Sequence, residues 1–577
     1  MCHNSKQNDM KKYCVNKVLC LAFIALAILT FASCGDDFDF ENHYPGAELK
    51  KEYAQNWVDL YGAIDPNQNW SMAQDTCVTV TVGASSNVKV YGKFDGIFKL
   101  VAQYDNLEGT ASIPFSVVKG SEELYVSDGT MAVKTKIGGH VDFSAPATRG
   151  SYLPAKNPYT GSFEDTNGKN QEIKIELLLD ESHTLKINYE SLKSAIASLE
   201  SVSPKNPNGS NSSNVVVTDF TCVATEGEVI IYPINWADNE AKEMGIYLNG
   251  DKSQSIKLCN SKDGLSNFEM PLYYQMTEDG ERIKVANSKR YGVPDGAKYV
   301  YSPGIRITVP VGTVIGFYAV NTNGTQTYSY SESTTGHVAT TDVNGTTLVG
   351  LYQEKNCSDF LFYAKNVTTI TNKLASWYIA CEDLGSTGDY DFNDLVFKVS
   401  TSSETTCNKG HHQTNYYYTI KPVAAGGTKK AEFSLDEGKT WTEIHGCFTG
   451  CGTPDNNGRY TMINTNAERL ALSNGSKGES GVSLVDQKFW ETKYIGKVSD
   501  LFAHFKIKVE DNGQAIVIDA PEAGTAPQMI LTPEGWQWPI ERENIEAAYP
   551  GFTNWSQNAT LGKWNESKKD ELVYPLQ

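Results

Sequence analysis

Residues 388–397 read GDYDFNDLVF, the ten positions of this chain with the sharpest chemical constraint. Asp389, Asp391 and Asn393 alternate with Tyr390 and Phe392, and Asp394 follows before an apolar run that opens at Leu395. Glu382 and Asp383 lie just upstream, so six oxygen-bearing side chains fall within thirteen residues. Carboxylates at this density repel one another unless a cation or strong donors neutralise them. A donor set made of oxygen suits calcium rather than zinc. The same composition also suits an Asx-rich turn with no metal, because Asp and Asn bond readily to their own backbone. In an extended segment, alternate side chains point to opposite faces. That geometry would put the three oxygen-bearing groups on one side and anchor the two rings in a core on the other.

The stretch from Trp377 to Val399, WYIACEDLGSTGDYDFNDLVFKV, resembles an acidic signature of bacterial extracellular proteins. In those proteins a segment of the form ED…DyDfNDlvf sits on a β-sandwich with a calcium-type site. Residues 526–555, APQMILTPEGWQWPIERENIEAAYPGFTNW, are similar to the closing segment of LruC-domain proteins, a family of bacterial surface lipoproteins. The two segments occur together and in this order in that family, so the resemblance covers residues 216–577. It implies a β-sandwich and a surface location. From the residue types themselves, the expected calcium ligands are Asp389, Asp391, Asn393 and Asp394, joined by Glu382 or Asp383.

The N-terminus carries an address. Lys11, Lys12 and Lys17 precede an apolar run from Val18 to Ser33 that ends Phe31-Ala32-Ser33-Cys34. A basic region, an apolar core and small residues before a cysteine form a bacterial lipoprotein signal, with Cys34 as the lipidated first residue. Sixteen residues fall short of the roughly twenty that a membrane span needs. Gly35-Asp36-Asp37-Phe38-Asp39 resembles the acidic export tag of surface lipoproteins in Bacteroidetes. Lipid anchoring in the outer membrane, facing outwards, is the expected location.

Removal of residues 1–33, with their four Lys and one Asp, takes the net charge from −19 to −22. Such a surface repels nucleic acid and favours cations. Thirty-one Tyr and ten Trp, with few helical stripes, favour pleated sheet. The expected class is mainly β, built as several antiparallel β-sandwiches with a few short helices. Eight cysteines follow Cys34, and of these Cys447 and Cys451 are close enough in a Gly-rich loop to pair as a disulfide. Cys407, His411, His412, His445, Cys447 and Cys451 are also residue types that bind zinc, although their spacing matches no standard pattern.

The chain divides into a signal peptide (1–33), a tether and short helix (34–71), a small β-domain (72–148), a connecting segment (149–215) and a large sandwich (216–577). Tyr53, Trp57, Leu60 and Tyr61 fall at helical spacing, with Gly62 as the stop. Asp65, Asn67 and Asn69 would suit a second cation, but Asp-Pro with Asn is more often a turn. Val78, Val80 and Val82 alternate with threonines, and Val88-Lys89-Val90-Tyr91 repeats the pattern. Leu192, Ile196 and Leu199 form a helical stripe that Pro204 ends, and residues 203–214 read as a linker. Strands are expected at Val229–Tyr232, Ile305–Val309 and Val314–Tyr318. Residues 505–520 read as a hairpin turning at Asp511-Asn512-Gly513. Residues 404–500 read as an insertion or as late strands of the same sandwich.

Trp536, Trp538, Tyr549, Phe552 and Trp555 invite a sugar-stacking role, but their bracketing prolines favour a buried cap. No G-x-S-x-G elbow, H-E-x-x-H helix or P-loop occurs, so hydrolase and nucleotide chemistry lack their local machinery. The expected role is non-enzymatic: adhesion, ligand binding or a structural surface component, with a glycan or host surface protein as partner. A glycan-binding accessory lipoprotein of polysaccharide uptake is the alternative, and a glycoside hydrolase a weaker one.

Overall fold

The computed structural model describes residues 46–144, 151–157, 160–164, 170–178, 184–188, 191, 215–216, 220–236, 241–250, 255–260, 274–276, 282–284, 299–321, 326–328, 336–343, 346–353, 360–384, 388–408, 411–448, 450–464, 470–472, 479–482, 490–493, 497–511 and 513–574. The signal segment, Cys34, the stripe of Leu192, Ile196 and Leu199, and the linker 203–214 lie outside the described residues. The chain divides into two compact units, Met1–Lys51 and Glu52–Gln577. Of the first, residues 46–51 are described: Gly46 starts a turn, and residues 47–51 open a helix in which Lys50 N–H donates to the Gly46 carbonyl (2.9 Å).

The second unit is mainly β, with antiparallel pairing dominant and short helices at its margins. The helix Ala47–Tyr61 buries Tyr53, Trp57 and Tyr61, and Gly62 ends it at φ +82°. Leu60 departs from the expected buried stripe: it is 53% exposed, because only every fourth position from Tyr53 faces the core. Ala73–Phe94 and Ile97–Val118 form a long antiparallel hairpin through Asp95-Gly96, both at positive φ as a tight two-residue turn requires. Val78, Val80, Val82, Val88 and Val90 are buried along it. This hairpin shares a sheet with the acidic motif, since Ile97–Val118 runs parallel to both Val367–Leu374 and Leu395–Asn408.

The centre of that sheet is Ser376–Cys381, paired on one edge with Leu395–Asn408 and on the other with Met529–Pro533. Every residue of Ser376–Cys381 and of Met529–Pro533 is buried, the pattern of strands covered on both faces. A four-stranded sheet holds the hairpin Lys506–Asp511 and Gln514–Asp519, where Ile507, Val509, Ile516 and Ile518 are buried as their alternation predicts. Phe397 of the main sheet meets Phe433 and Phe505 at 4.9 Å each, joining the two layers in a sandwich-like contact. A second large sheet contains Glu228–Trp236 and Tyr299–Thr308. The polar stretch 149–169 also carries strands, Ser151–Asn157 and Thr160–Glu164, paired with each other. Residues 404–500 contribute late strands: His411–Ala425 extends the main sheet, and Lys430–Ser434 joins the four-stranded one.

A candidate cation site between the motif loop and the C-terminal tail

The acidic motif is the connection between two central strands. Cys381 pairs with Leu395, so Glu382–Asp394 forms the loop between them. The loop is not extended as its alternation suggests. Tyr390 (φ 48°) and Phe392 (φ 51°) are left-handed, a conformation that costs about 1–2 kcal/mol for an ordinary residue. Tertiary contacts hold both. The Tyr390 hydroxyl donates to the Tyr53 carbonyl (2.9 Å), and its ring packs edge-on to Tyr53 and Trp57. Phe392 lies against Trp57 and Phe552. The two rings therefore do anchor in a core, through kinked rather than extended backbone.

Asp389 and Asp391 come together with a third carboxylate, Glu541, with ligand oxygens all within 4.8 Å of one another. Glu541 belongs to the C-terminal segment that wraps the loop. There Asn393 Nδ2 donates to the Pro539 carbonyl (3.2 Å), Arg542 N–H donates to Asp391 Oδ2 (2.9 Å), and Ile545 N–H donates to the Tyr390 carbonyl (3.0 Å). Asp383 and Asp394 meet at the base of the loop, where Asp383 N–H donates to Asp394 Oδ2 (2.7 Å). Glu382 turns toward the aromatic side and accepts Phe392 N–H (2.6 Å). Of the six expected ligands, then, Asp389 and Asp391 enter the triad, Asp383 and Asp394 pair beside it, Asn393 ties the tail, and Glu382 faces the tyrosines.

Burial, and then repulsion from Asp391 and Asp389, pushes the Glu382 carboxyl well above the usual range. Burial and Asp389 do the same to Asp391, against the pull of the Arg542 and Asn393 N–H groups. Asp394 rises through burial and its neighbours Asp383 and Glu382, and Glu541 through burial and Asp389. Among the described residues, no lysine or arginine forms a salt bridge with Glu382, Asp391 or Asp394. A divalent cation is the partner whose charge would reverse this destabilisation. The residues present fit one: the donors are all oxygen, and Asn393 Oδ1 and Glu541 Oε2 are buried without hydrogen bonds.

The sequence signals for Glu541, and for Asn464 nearby, were weak, because each is a single polar residue far along the chain from the motif. Away from this cluster, Asp65 is a turn residue: Oδ1 accepts Asn67 N–H and Oδ2 accepts Ala559 N–H, both at 2.8 Å, which holds its carboxyl below the usual range. Cys447 keeps a free thiol that donates to the Glu443 carbonyl (3.4 Å), so the disulfide with Cys451 is not formed. His445 is buried with its ring nitrogens 3.2 Å from Glu443 Oε1 and 3.1 Å from the Gly427 carbonyl, which leaves neither for zinc. Trp536, Trp538, Tyr549, Phe552 and Trp555 are each no more than 1% exposed, a core rather than a sugar platform. No family model matches the chain, and comparison with the curated proteins and with the solved structures found no match.

Proposed function

We propose that this chain is a non-catalytic surface protein in which calcium clasps the motif loop to the C-terminal tail, stabilising a β-scaffold that displays a binding or structural surface. The observation that supports this most is the convergence of Asp389, Asp391 and Glu541 from two distant segments, next to the buried carboxylate of Glu382, which forms no salt bridge with a lysine or arginine among the described residues. Calcium takes six to eight oxygen ligands and tolerates irregular geometry, as such a loop provides. With the ion bound, mutual repulsion becomes shared attraction, and the tail is held where its tryptophans complete the core. The resemblance to LruC-domain lipoproteins and the signal ending at Cys34 support an outward-facing lipid anchor in the outer membrane.

Extracellular calcium modules bind at about 10⁻⁴ to 10⁻³ M, so calcium at ten times that constant adds about 1.4 kcal/mol of stability. Melting of the purified chain should shift up with calcium and down with chelator, and the double variant Asp389→Ala, Asp391→Ala should respond less to both. Equal melting of the wild type with and without calcium, together with a flat calorimetric titration, would refute the cation reading. The anchor has a separate test: Cys34→Ala should abolish incorporation of a labelled fatty acid, and undiminished label would overturn it.

A further inference from the structure

Beside the triad lies a second concentration of oxygen. Gly426 and Gly427 come directly after the strand His411–Ala425, and their N–H groups donate to the Asn393 and Asp394 carbonyls at 3.2 and 3.3 Å. A Cβ on Gly426 would stand 2.6 Å from both the carbonyl oxygen and Oδ1 of Asn393, and 2.8 Å from Asn464 Oδ1. On Gly427 it would stand 2.8 Å from Asp383 Oδ2 and 3.1 Å from Asp394 Oδ1. No side chain fits at either position. The oxygens crowd these two glycines from two chain segments, the motif loop and residue 464.

Two of these groups point to a ligand independently of the carboxylates. Asn393 is fully buried and Asn464 is 3% exposed, yet neither amide oxygen accepts a hydrogen bond. Leaving a buried polar atom unmade costs about 1–3 kcal/mol, and here two amide oxygens beside one glycine do so together. Glu541 links this set to the triad. Its carboxyl feels Asp389 and Asp383, and the Asn464 side chain lies within hydrogen-bonding reach of it.

From this geometry we infer that the site holds two cations: an outer one at Asp389, Asp391 and Glu541, and an inner one over Gly426-Gly427 held by Asp383, Asp394 and the amide oxygens of Asn393 and Asn464. This rests on the calcium reading and extends it. Amide carbonyls and carboxylates are ordinary calcium ligands, and two divalent ions match the summed charge of Asp383, Asp389, Asp391, Asp394 and Glu541 far better than one. The inner ion would tie residue 464, and with it the late strands, to the motif.

Native mass spectrometry and calorimetric titration of the full chain with calcium alone should give two ions per chain. Asn464→Leu should bind one, and Asp389→Ala should bind one, with folding checked by circular dichroism. Asn464→Asp, which adds a charge to the inner set, should keep two ions and bind the second at least about tenfold more tightly, since charged donors of the same shape bind more strongly than neutral ones. One ion in the wild type, unchanged in Asn464→Leu, would overturn the inner position and leave the calcium reading intact. No ion would overturn both. If Asn464→Asp lowers stability without tightening calcium, the two amides simply bond to each other and the inference fails.

Discussion

Trp57→Ala tests whether the N-terminal helix, the motif loop and the tail form one core. Trp57 is fully buried, and its ring meets Tyr61 at 4.5 Å, Tyr390 at 5.1 Å, Trp70 at 5.3 Å and Phe552 at 6.0 Å. Burial of about 200 Å² at about 25 cal/mol per Å² gives roughly 5 kcal/mol of transfer free energy, part of which alanine keeps. Measured Trp→Ala losses of about 3–5 kcal/mol agree with that. Trp57 Nε1 is buried without a hydrogen bond, so its removal returns about 1 kcal/mol or more. The net expectation is a loss of about 3 kcal/mol. Trp57→Phe, which keeps a ring and sheds the unpaired N–H, should lose only about 1 kcal/mol. Urea unfolding followed by near-ultraviolet circular dichroism reads both. Combination with Phe552→Ala should give a coupling of about 1 kcal/mol, because ring pairs in contact are not additive. A loss below about 1 kcal/mol for Trp57→Ala, or strict additivity with Phe552→Ala, would refute the shared core.

Lys99 is 2% exposed and its ammonium lies 2.9 Å from Glu534, with Lys398 Nζ at 4.0 Å from the same carboxylate. Burial would raise Glu534, but Lys99, Lys398 and Lys373 together hold it below the usual range. Glu534→Ala should therefore cost about 3–5 kcal/mol by stranding the Lys99 charge, while Lys99→Met with Glu534→Leu should recover most of it in the same urea assay; equal losses would contradict the pair's role. For pH, the raised carboxyls of Glu382, Asp391 and Asp394 hold protons more tightly folded than unfolded. In chelator their contribution is thus complete below about pH 4 and declines as pH rises toward the elevated folded values. Calcium needs Asp391 and Asp394 ionised, so the gap between calcium-loaded and chelated melting temperatures should widen from about pH 5 to pH 8. A gap that narrows over that range would contradict the carboxylate site.

Much of this architecture comes from local pattern. The threonine–valine alternation at 78–82, the hairpin at 506–519 and the helical run at Tyr53, Trp57 and Tyr61 each repeat over a few residues, and a strand or helix made of them can bury one face in only one way. The oxygen-rich motif was legible for the same reason, since its donors lie within thirteen residues. Its backbone was not. Alternation implied an extended loop, whereas the rings of Tyr390 and Phe392 reach their core through left-handed turns that only packing against Trp57 and Phe552 can hold. Leu60 matched the helical spacing but faces solvent, because which flank of a stripe is covered depends on what lies against it. Cys447 and Cys451 are near in sequence, yet the first thiol is spent on a carbonyl. Composition, strand pattern and the cluster of oxygen-bearing residues at 382–394 belong to the sequence itself. Glu541 and Asn464 carry no periodicity and no motif; they reach the carboxylates because Met529–Pro533 pairs beside the motif strand and Ile463–Asn464 pairs beside Ala424 and Ala425. Such long-range pairings depend on the whole sheet closing at once, so only the tertiary structure could complete the site.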